Sequence, residues 1–420
     1  MKKTILLSII FCFIFSISIF GQEKKVKEDI PLKHGAHRIG KRTDAYMQHW
    51  REYGLGQFIH WGGVYAIPGG QWNGKTTQYA AEWFRTSGLI SKEEYDNLYK
   101  EFNPTGFDAK QWAKMAKQMG ARYMIFTTKH HDGFCMWPSK YTDYTIANTP
   151  YKKDIVKELV DAYTEEGIDV YLYFSIIDWS HPGYVSGGNI NSADIKKMYQ
   201  EGKNHNPFKT ERQAGLYEEF KTFTRNQLFE LLDDYPQIKG LWFDGSWDVA
   251  WVKNAGWVDT LGLELREKHP GLIIGSRFRS DEFGNRHEDA NGYLIDDYDQ
   301  RYERNLPKDL KETKGFDWDC VMTIPENQWG GYHRDWTLTY IKTPYDLIGM
   351  IVQANSLDGN FVINFGPDGK GNFRPEEISI AKEVGKWMSV NNEAIYGTHH
   401  PYWKNRIGGA IQRRRIVIYI

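Results

Sequence analysis

Cysteine is nearly missing from this chain, three residues in 420. Cys12 sits in an apolar leader, which leaves Cys135 and Cys320 for the rest of the chain. Two cysteines do not make a disulfide framework, and no Cys/His spacing resembles a zinc site. An excess of either charge is missing too, since the formal net charge is −1. No basic run or stripe offers a nucleic-acid footprint, and no acidic tail suggests a solvating or scaffold role. Internal repeats and low-complexity linkers are absent. The apolar run at the N-terminus, Ile5 to Phe20, barely reaches spanning length. It follows Lys2 and Lys3 and ends at Gly21 before the polar stretch Gln22 to Lys27, which reads as a signal peptide over residues 1–21. An uncleaved membrane anchor is the rival reading. Cys12 has no small-residue frame before it, which argues against a lipidated N-terminus. The expectation is an exported protein, periplasmic or extracellular, with no stable membrane insertion once the signal is cleaved.

Aromatic residues are what the chain has in abundance, 15% of it, with 16 Trp and 26 Tyr. Many must be core, but a surplus of Trp and Tyr beside Asp, Glu and His suits carbohydrate, whose C–H faces lie on rings while its hydroxyls take directed hydrogen bonds. After a polar lead-in over 22–44, apolar strand-like runs alternate with amphipathic helical stretches. The pattern predicts strands at Leu55–Trp61, Tyr123–Lys129, Val170–Ser175, Gly240–Asp244, Leu272–Arg277, Tyr293–Tyr298, Cys320–Ile324 and Phe361–Gly366. It predicts helices at Ala109–Met119, Ile155–Glu166, Tyr217–Asp234 and Tyr345–Ser356. Eight strands joined by long crossovers imply a parallel sheet, and eight closes a (β/α)8 barrel over 45–400. An open doubly wound sheet is the alternative, but no glycine fingerprint for a nucleotide follows the first strand. Residues 401–420 end in the β-prone run Ile416 to Ile420 after Arg413-Arg414-Arg415. They read as the start of a C-terminal β segment, either one added strand or the beginning of a further β domain.

Three strand ends carry polar residues suited to chemistry. Gln57-Phe58-Ile59-His60-Trp61-Gly62, Thr128-Lys129-His130-His131-Asp132-Gly133-Phe134 and Leu241-Trp242-Phe243-Asp244-Gly245 each place His or Asp after an apolar run. That is the carboxyl end where barrel enzymes bind substrate. Asp244, flanked by aromatic residues, suits a nucleophile toward an anomeric carbon; the alternative is a loop acid satisfied by backbone amides. His130 and His131 are either pocket residues or structural hydrogen-bonders. With His60 and Asp132 they can also be read as a metal site. Against that, one of two adjacent strand residues is expected to point into the barrel wall.

Those three segments, together with Ala81-Glu82-Trp83-Phe84, Tyr173-Phe174-Ser175-Ile176-Ile177-Asp178-Trp179, Asn364-Phe365-Gly366-Pro367-Asp368-Gly369-Lys370-Gly371, Gly385-Lys386-Trp387 and Asn392-Glu393-Ala394-Ile395-Tyr396-Gly397-Thr398, closely resemble the α-L-fucosidases of glycoside hydrolase family 29. The resemblance runs from about residue 45 to 400. It implies a retaining exo-α-L-fucosidase on a (β/α)8-like barrel, usually followed by a β-sandwich that here is truncated or absent. The implied substrate is a fucosylated oligosaccharide or polysaccharide, and neither a cofactor nor a metal is expected. Carried over by motif, Asp244 is the nucleophile, and His60, Glu82, Trp83, His130 and His131 hold the sugar. Trp242, Arg277 and Trp329 complete the pocket. Tyr173 is a further candidate, although the family usually has a tyrosine pair where this chain has Tyr173-Phe174.

The acid/base motif departs from the common family form. Glu303 keeps the spacing to Pro307 but lacks the usual Thr-Pro before it. Glu288, in Arg286-His287-Glu288-Asp289, is the alternative, because another branch carries its acid/base after a short Asn-Glu motif; Glu326 is a third. Trp318-Asp319-Cys320 stands where the family commonly has Trp-Glu, so the aglycone side is expected to differ. A sulfated or galactose-configured sugar is an alternative substrate, with Arg301, Arg304, His333 and Arg334 as sulfate partners. A catalytically impaired fucose-binding protein is the alternative from another functional class.

Overall fold

The computed structural model of the chain describes residues 42–77, 80–184, 216–246, 248–279, 296–313, 315–326, 330–336 and 339–398. Eight parallel strands form its centre: β1 Leu55–Ile59, β2 Tyr123–Lys129, β3 Asp169–Ser175, β4 Gly240–Asp244, β5 Ile273–Ile274, β6 Asp299–Glu303, β7 Trp318–Thr323 and β8 Asn360–Phe365. Their order is β5-β4-β3-β2-β1-β8-β7-β6, so each strand lies beside its sequence neighbour, and β8 returns to pair with β1. The two ends of that order meet through a parallel bridge between Gly275 and Tyr298, with Asp297 N–H donating to the Ile274 carbonyl at 2.9 Å. The sheet is a (β/α)8 barrel whose β5–β6 seam is its narrowest join.

Period-two alternation along the strands sorts the core into two layers. Phe58, Tyr123, Ile125, Tyr171, Tyr173, Trp242, Ile273, Val321 and Val362 share the inner cluster. Leu55, Ile59, Met124, Phe126, Leu172, Phe174, Leu241 and Phe243 belong to the outer layer between strands and helices. Among the surrounding helices are α1 Ala109–Met119, α2 Ile155–Glu165, α3 Leu216–Asp234, α4 Ala255–Lys268, α5 Pro344–Ser356 and α6 Pro375–Asn391. In α1 the apolar positions Ala109, Trp112, Ala113, Ala116 and Met119 recur at helical spacing and are buried. Asp108 caps its first turn, and Gly120, at φ 95°, ends it in the left-handed conformation that glycine allows. The amino-terminal end of the barrel is closed by the short helix Ala45–Arg51, which buries Met47 and Trp50; Trp50 packs on Tyr298 at 4.6 Å.

Seven of the eight predicted strands recur, Tyr123–Lys129 and Gly240–Asp244 with the predicted ends and the other five with shifted ones. The exception is Tyr293–Tyr298: the sixth strand is Asp299–Glu303, and Tyr298 supplies the closing bridge. Residues 293–295 lie outside the described residues. The apolar Tyr-Leu-Ile run drew the prediction, whereas the true strand is mostly polar, with Asp299 and Gln300 buried in the wall and Glu303 at its carboxyl end. The fifth predicted strand, Leu272–Arg277, shortens to Ile273–Ile274 followed by a 3-10 turn over Ser276–Phe278. The predicted signal peptide, most of the lead-in and the C-terminal β segment also lie outside the described residues.

Candidate active site

The inner layer becomes polar at the carboxyl ends of the strands. His60 continues the inward parity of Phe58, and Asp244 that of Trp242. Tyr302 packs outward on Trp318 at 5.0 Å, so its neighbour Glu303 faces inward. Arg277, on the 3-10 turn after β5, joins the two acids. Its Nη1 donates to Asp244 Oδ1 at 3.0 Å and its Nη2 donates to Glu303 Oε2. The same guanidinium lies 5.2 Å from the Trp242 ring. Tyr173 OH donates to Asp244 Oδ2 at 2.9 Å, and Gly245 N–H donates to Oδ1 at 3.0 Å.

Burial raises the Asp244 carboxyl above its ordinary range, against the opposing pull of Arg277. Burial acts on Glu303 in the same direction, but there the Arg277 charge and hydrogen bond win and the group ends below its ordinary range.

Histidines make the opposite wall. The expectation that only one of His130 and His131 faces inward fails for a structural reason. β2 ends at Lys129, its pairing with β3 shifts between Thr127 and Lys129, and the two histidines sit on a turn closed by Gly133 N–H to the His130 carbonyl at 3.0 Å. Strand alternation does not apply beyond that point. Gly133 has φ +84°, and a Cβ there would fall 2.2 Å from Asp178 Oδ1. His130 stacks on Tyr173, with ring centroids 5.4 Å apart and planes within 6°. His131 Nδ1 lies 2.6 Å from Ser175 Oγ, which itself donates to the Ile177 carbonyl. Nδ1 is therefore the protonated nitrogen of the neutral ring, and Nε2, 3.7 Å from Asp244 Oδ2, is left as an acceptor.

Burial also lowers the histidines, His60 to about 4 and His131 to about 3, with His130 well below its ordinary value. At neutral pH all three are uncharged hydrogen-bonding groups. His60 Nε2 and His130 Nδ1 are buried without a hydrogen-bond partner, which is costly unless a ligand supplies one.

Glu82 and Trp83 arrive on the 3-10 turn Ala81–Thr86. Trp83 meets His131 edge-on at 5.2 Å and Trp179 at 5.2 Å. Glu82 accepts from Gly330 N at 2.9 Å and Gly331 N at 3.2 Å, and burial pushes it up to about 7. These contacts draw the chain between β7 and β8 against His60, where a Cβ on Gly330 would fall 1.8 Å from the imidazole.

Asp132, offered with the histidines as a metal ligand, is turned away: it accepts from Tyr95 OH at 2.8 Å and from Phe134 N–H. Among the described residues the group with metal-like spacing is His130, His131 and Asp244. Its only anionic member already carries the Arg277 guanidinium, so a divalent cation there would sit beside a fixed positive charge. That donor set fits a metal poorly.

The Alpha-L-fucosidase family model matches residues 33–393. The chain belongs to the α-L-fucosidase family. Among solved structures, the fucosidase of Bacteroides thetaiotaomicron is 50% identical with a TM-score of 0.76; the match covers 88% of this chain and 80% of that one. Isoenzyme 1 of Paenibacillus thiaminolyticus is 31% identical with a TM-score of 0.67, over 84% of this chain and 77% of that one. The tissue α-L-fucosidase of Mus musculus is 28% identical over 354 residues, 82% of this chain and 70% of the relative. The chain spans about two thirds of its curated relatives, 65% of one from Caenorhabditis elegans.

Of the residues matched to fucosidase motifs, the structure brings together His60, Glu82, Trp83, His130, His131, Tyr173, Trp242, Asp244, Arg277 and Glu303. Glu288 and Trp329 lie outside the described residues. Glu326 is half exposed and paired with Lys342 at 2.5 Å. The arginines and histidine offered for sulfate have protein partners. His333 is buried between the Thr77 and Asp335 carbonyls, Arg334 donates to the Ile67 carbonyl, and Arg301 reaches Tyr302 OH and the Glu312 carbonyl. Arg304 lies 3.9 Å from Glu303. Sequence reasoning missed Ser175, which orients His131, and the inward-facing Asp319, known only as a motif departure. The inward parity of Asp319 with Val321 was the signal available for it.

Proposed function

We propose that this chain hydrolyses terminal α-L-fucosides with retention, Asp244 attacking the anomeric carbon and Glu303 serving as acid and then base. The observation that carries the reading is the pair of inward carboxyls held on one guanidinium at the barrel mouth. Double displacement needs carboxyls about 5–5.5 Å apart, and a shared guanidinium keeps two of them side by side. Support comes from the Bacteroides thetaiotaomicron relative, for which a covalent intermediate was trapped with 2-fluoro-fucosyl fluoride in a Glu-to-Gln variant.

In this mechanism Glu303 protonates the departing oxygen while Asp244 forms an ester with the sugar. Glu303 then takes a proton from water, which displaces Asp244. Neutral His60, His130 and His131 give and accept hydrogen bonds to hydroxyls without competing for protons at working pH. The rings of Trp83, Tyr173 and Trp242 supply apolar surface for the sugar's C–H face. Proton NMR of early product is the test. α-Fucose is expected first, and β-fucose first would exclude retention.

A further inference from the structure

We propose that Arg277 passes its charge between Asp244 and Glu303 during turnover, so that Glu303 is protonated while Asp244 attacks and ionised once Asp244 is esterified. The proposal rests on the assignment of those two acids as nucleophile and acid/base. Its own basis is the fork: one guanidinium nitrogen on each carboxyl, with the guanidinium itself partly buried beside Trp242.

The charge count explains what the fork achieves. Before attack, Asp244 is a carboxylate, Glu303 carries one proton and Arg277 is positive, so the trio is neutral. The new bond joins an Asp244 oxygen to the anomeric carbon, the glycosidic bond breaks, and the Glu303 proton leaves with the departing oxygen. Asp244 is now a neutral ester and Glu303 a carboxylate, and with Arg277 the trio is again neutral. Water then yields its proton to Glu303 and its oxygen to the sugar, returning the charge to Asp244. At each stage one carboxylate faces one guanidinium, and only their pairing changes. A buried site benefits from this, because an uncompensated charge there is expensive.

The remaining groups around the trio do not substitute for Arg277. Glu303 also lies 3.9 Å from Arg304, and His60, uncharged at neutral pH, is near it just beyond the end of β1. Asp244 is otherwise met by Tyr173 OH, Gly245 N–H and the neutral His131. Glu82 and Asp319 are acids that burial disposes to stay protonated. In the free protein Arg277 already holds Glu303 below its ordinary range, the state that the second step needs. The first step therefore requires the arriving glycan to draw Glu303 off Nη2.

The experiment uses an aryl α-L-fucoside with azide as a competing nucleophile, reading the ratio of fucosyl azide to fucose. That ratio reports how the fucosyl-enzyme partitions, whichever step limits turnover. Azide needs no general base, whereas water does. In Arg277→Met, Glu303 loses the charge that keeps it ionised, and the ratio is expected to rise about tenfold or more over wild type. Arg277→Gln keeps a hydrogen-bond donor without charge and gives a second reading should the apolar replacement not fold. Arg277→Lys restores a positive charge and should return the ratio toward wild type.

An unchanged ratio in both neutral variants would overturn the proposal and leave Arg277 as a binding residue. Glu303→Gln must raise the ratio as well. If it does not, the acid/base assignment has failed, independently of Arg277.

Discussion

Glu303 and Glu288 are separated by a difference in demand. Protonation of the leaving oxygen matters only when that oxygen leaves poorly. Glu303→Gln is therefore expected to reduce cleavage of natural fucosides by about 10²–10⁴-fold and of activated aryl fucosides far less. Glu288→Gln is expected to do much less to either, and the reverse pattern in paired assays would move the acid/base to Glu288.

Asp319 makes a different argument. Its Oδ2 is buried without a partner, and burial holds the group well above the ordinary carboxyl range. Below the unfolded carboxyl pKa of about 4 both states carry the proton, so titration of Asp319 costs the fold nothing there. As pH rises above that, the unfolded chain releases a proton that the folded chain retains, and stability declines by about 1.4 kcal/mol per pH unit until the folded group ionises. Asp319→Asn removes the titration while keeping the shape, so its stability relative to wild type should increase from pH 5 to pH 8. Urea midpoints at the two pH values measure this, and a constant difference would mean that Asp319 is ionised in the fold.

At the scale of elements, the site is assembled by the segments that leave the strands. The turn after β2 turns both histidines inward, the 3-10 turn after β5 aims Arg277, and the segment between β7 and β8 presses Gly330 on His60. Only a residue without a side chain fits there. Gly330→Ala is expected to displace the imidazole and lower kcat/KM by about tenfold or more, since small misplacements of pocket groups are costly. Aryl-fucoside kinetics beside a thermal melt would check it; unaltered kinetics in a folded variant would show that His60 can shift at no cost. The short β5 is compensated by charge. Asp297 Oδ2 accepts from Ile274 N–H at 2.8 Å, Arg42 at 3.0 Å and Arg266 at 3.1 Å, clamping the seam beside Arg277 and Glu303.

For the whole molecule, Arg42 shows that the predicted lead-in over 22–44 contributes at least its last residues to the fold, through the seam and through Asp44. We propose that residues 1–21 are removed on export. N-terminal sequencing of protein recovered from outside the cytoplasm should begin just after Gly21, and recovery of the intact N-terminus in a membrane fraction would favour the anchor instead.

By itself the sequence determined the barrel and most of its wall. Strand-like runs and helical stretches alternate with periods that physical burial imposes, and the motifs at the ends of β1, β2 and β4 stand beside those runs. Polar β6 escaped that reading because Asp299-Gln300-Arg301-Tyr302-Glu303 has no apolar alternation to reveal it, and the apolar run before it was chosen instead. Tertiary structure decided what no spacing encodes. It brought both adjacent histidines inward once the strand had ended, removed Asp132 from their company to Tyr95, and set Arg277 across Asp244 and Glu303. Those outcomes depend on where separate segments meet in space, and a contact between residues 33 or 26 positions apart is set by barrel closure rather than by local preference.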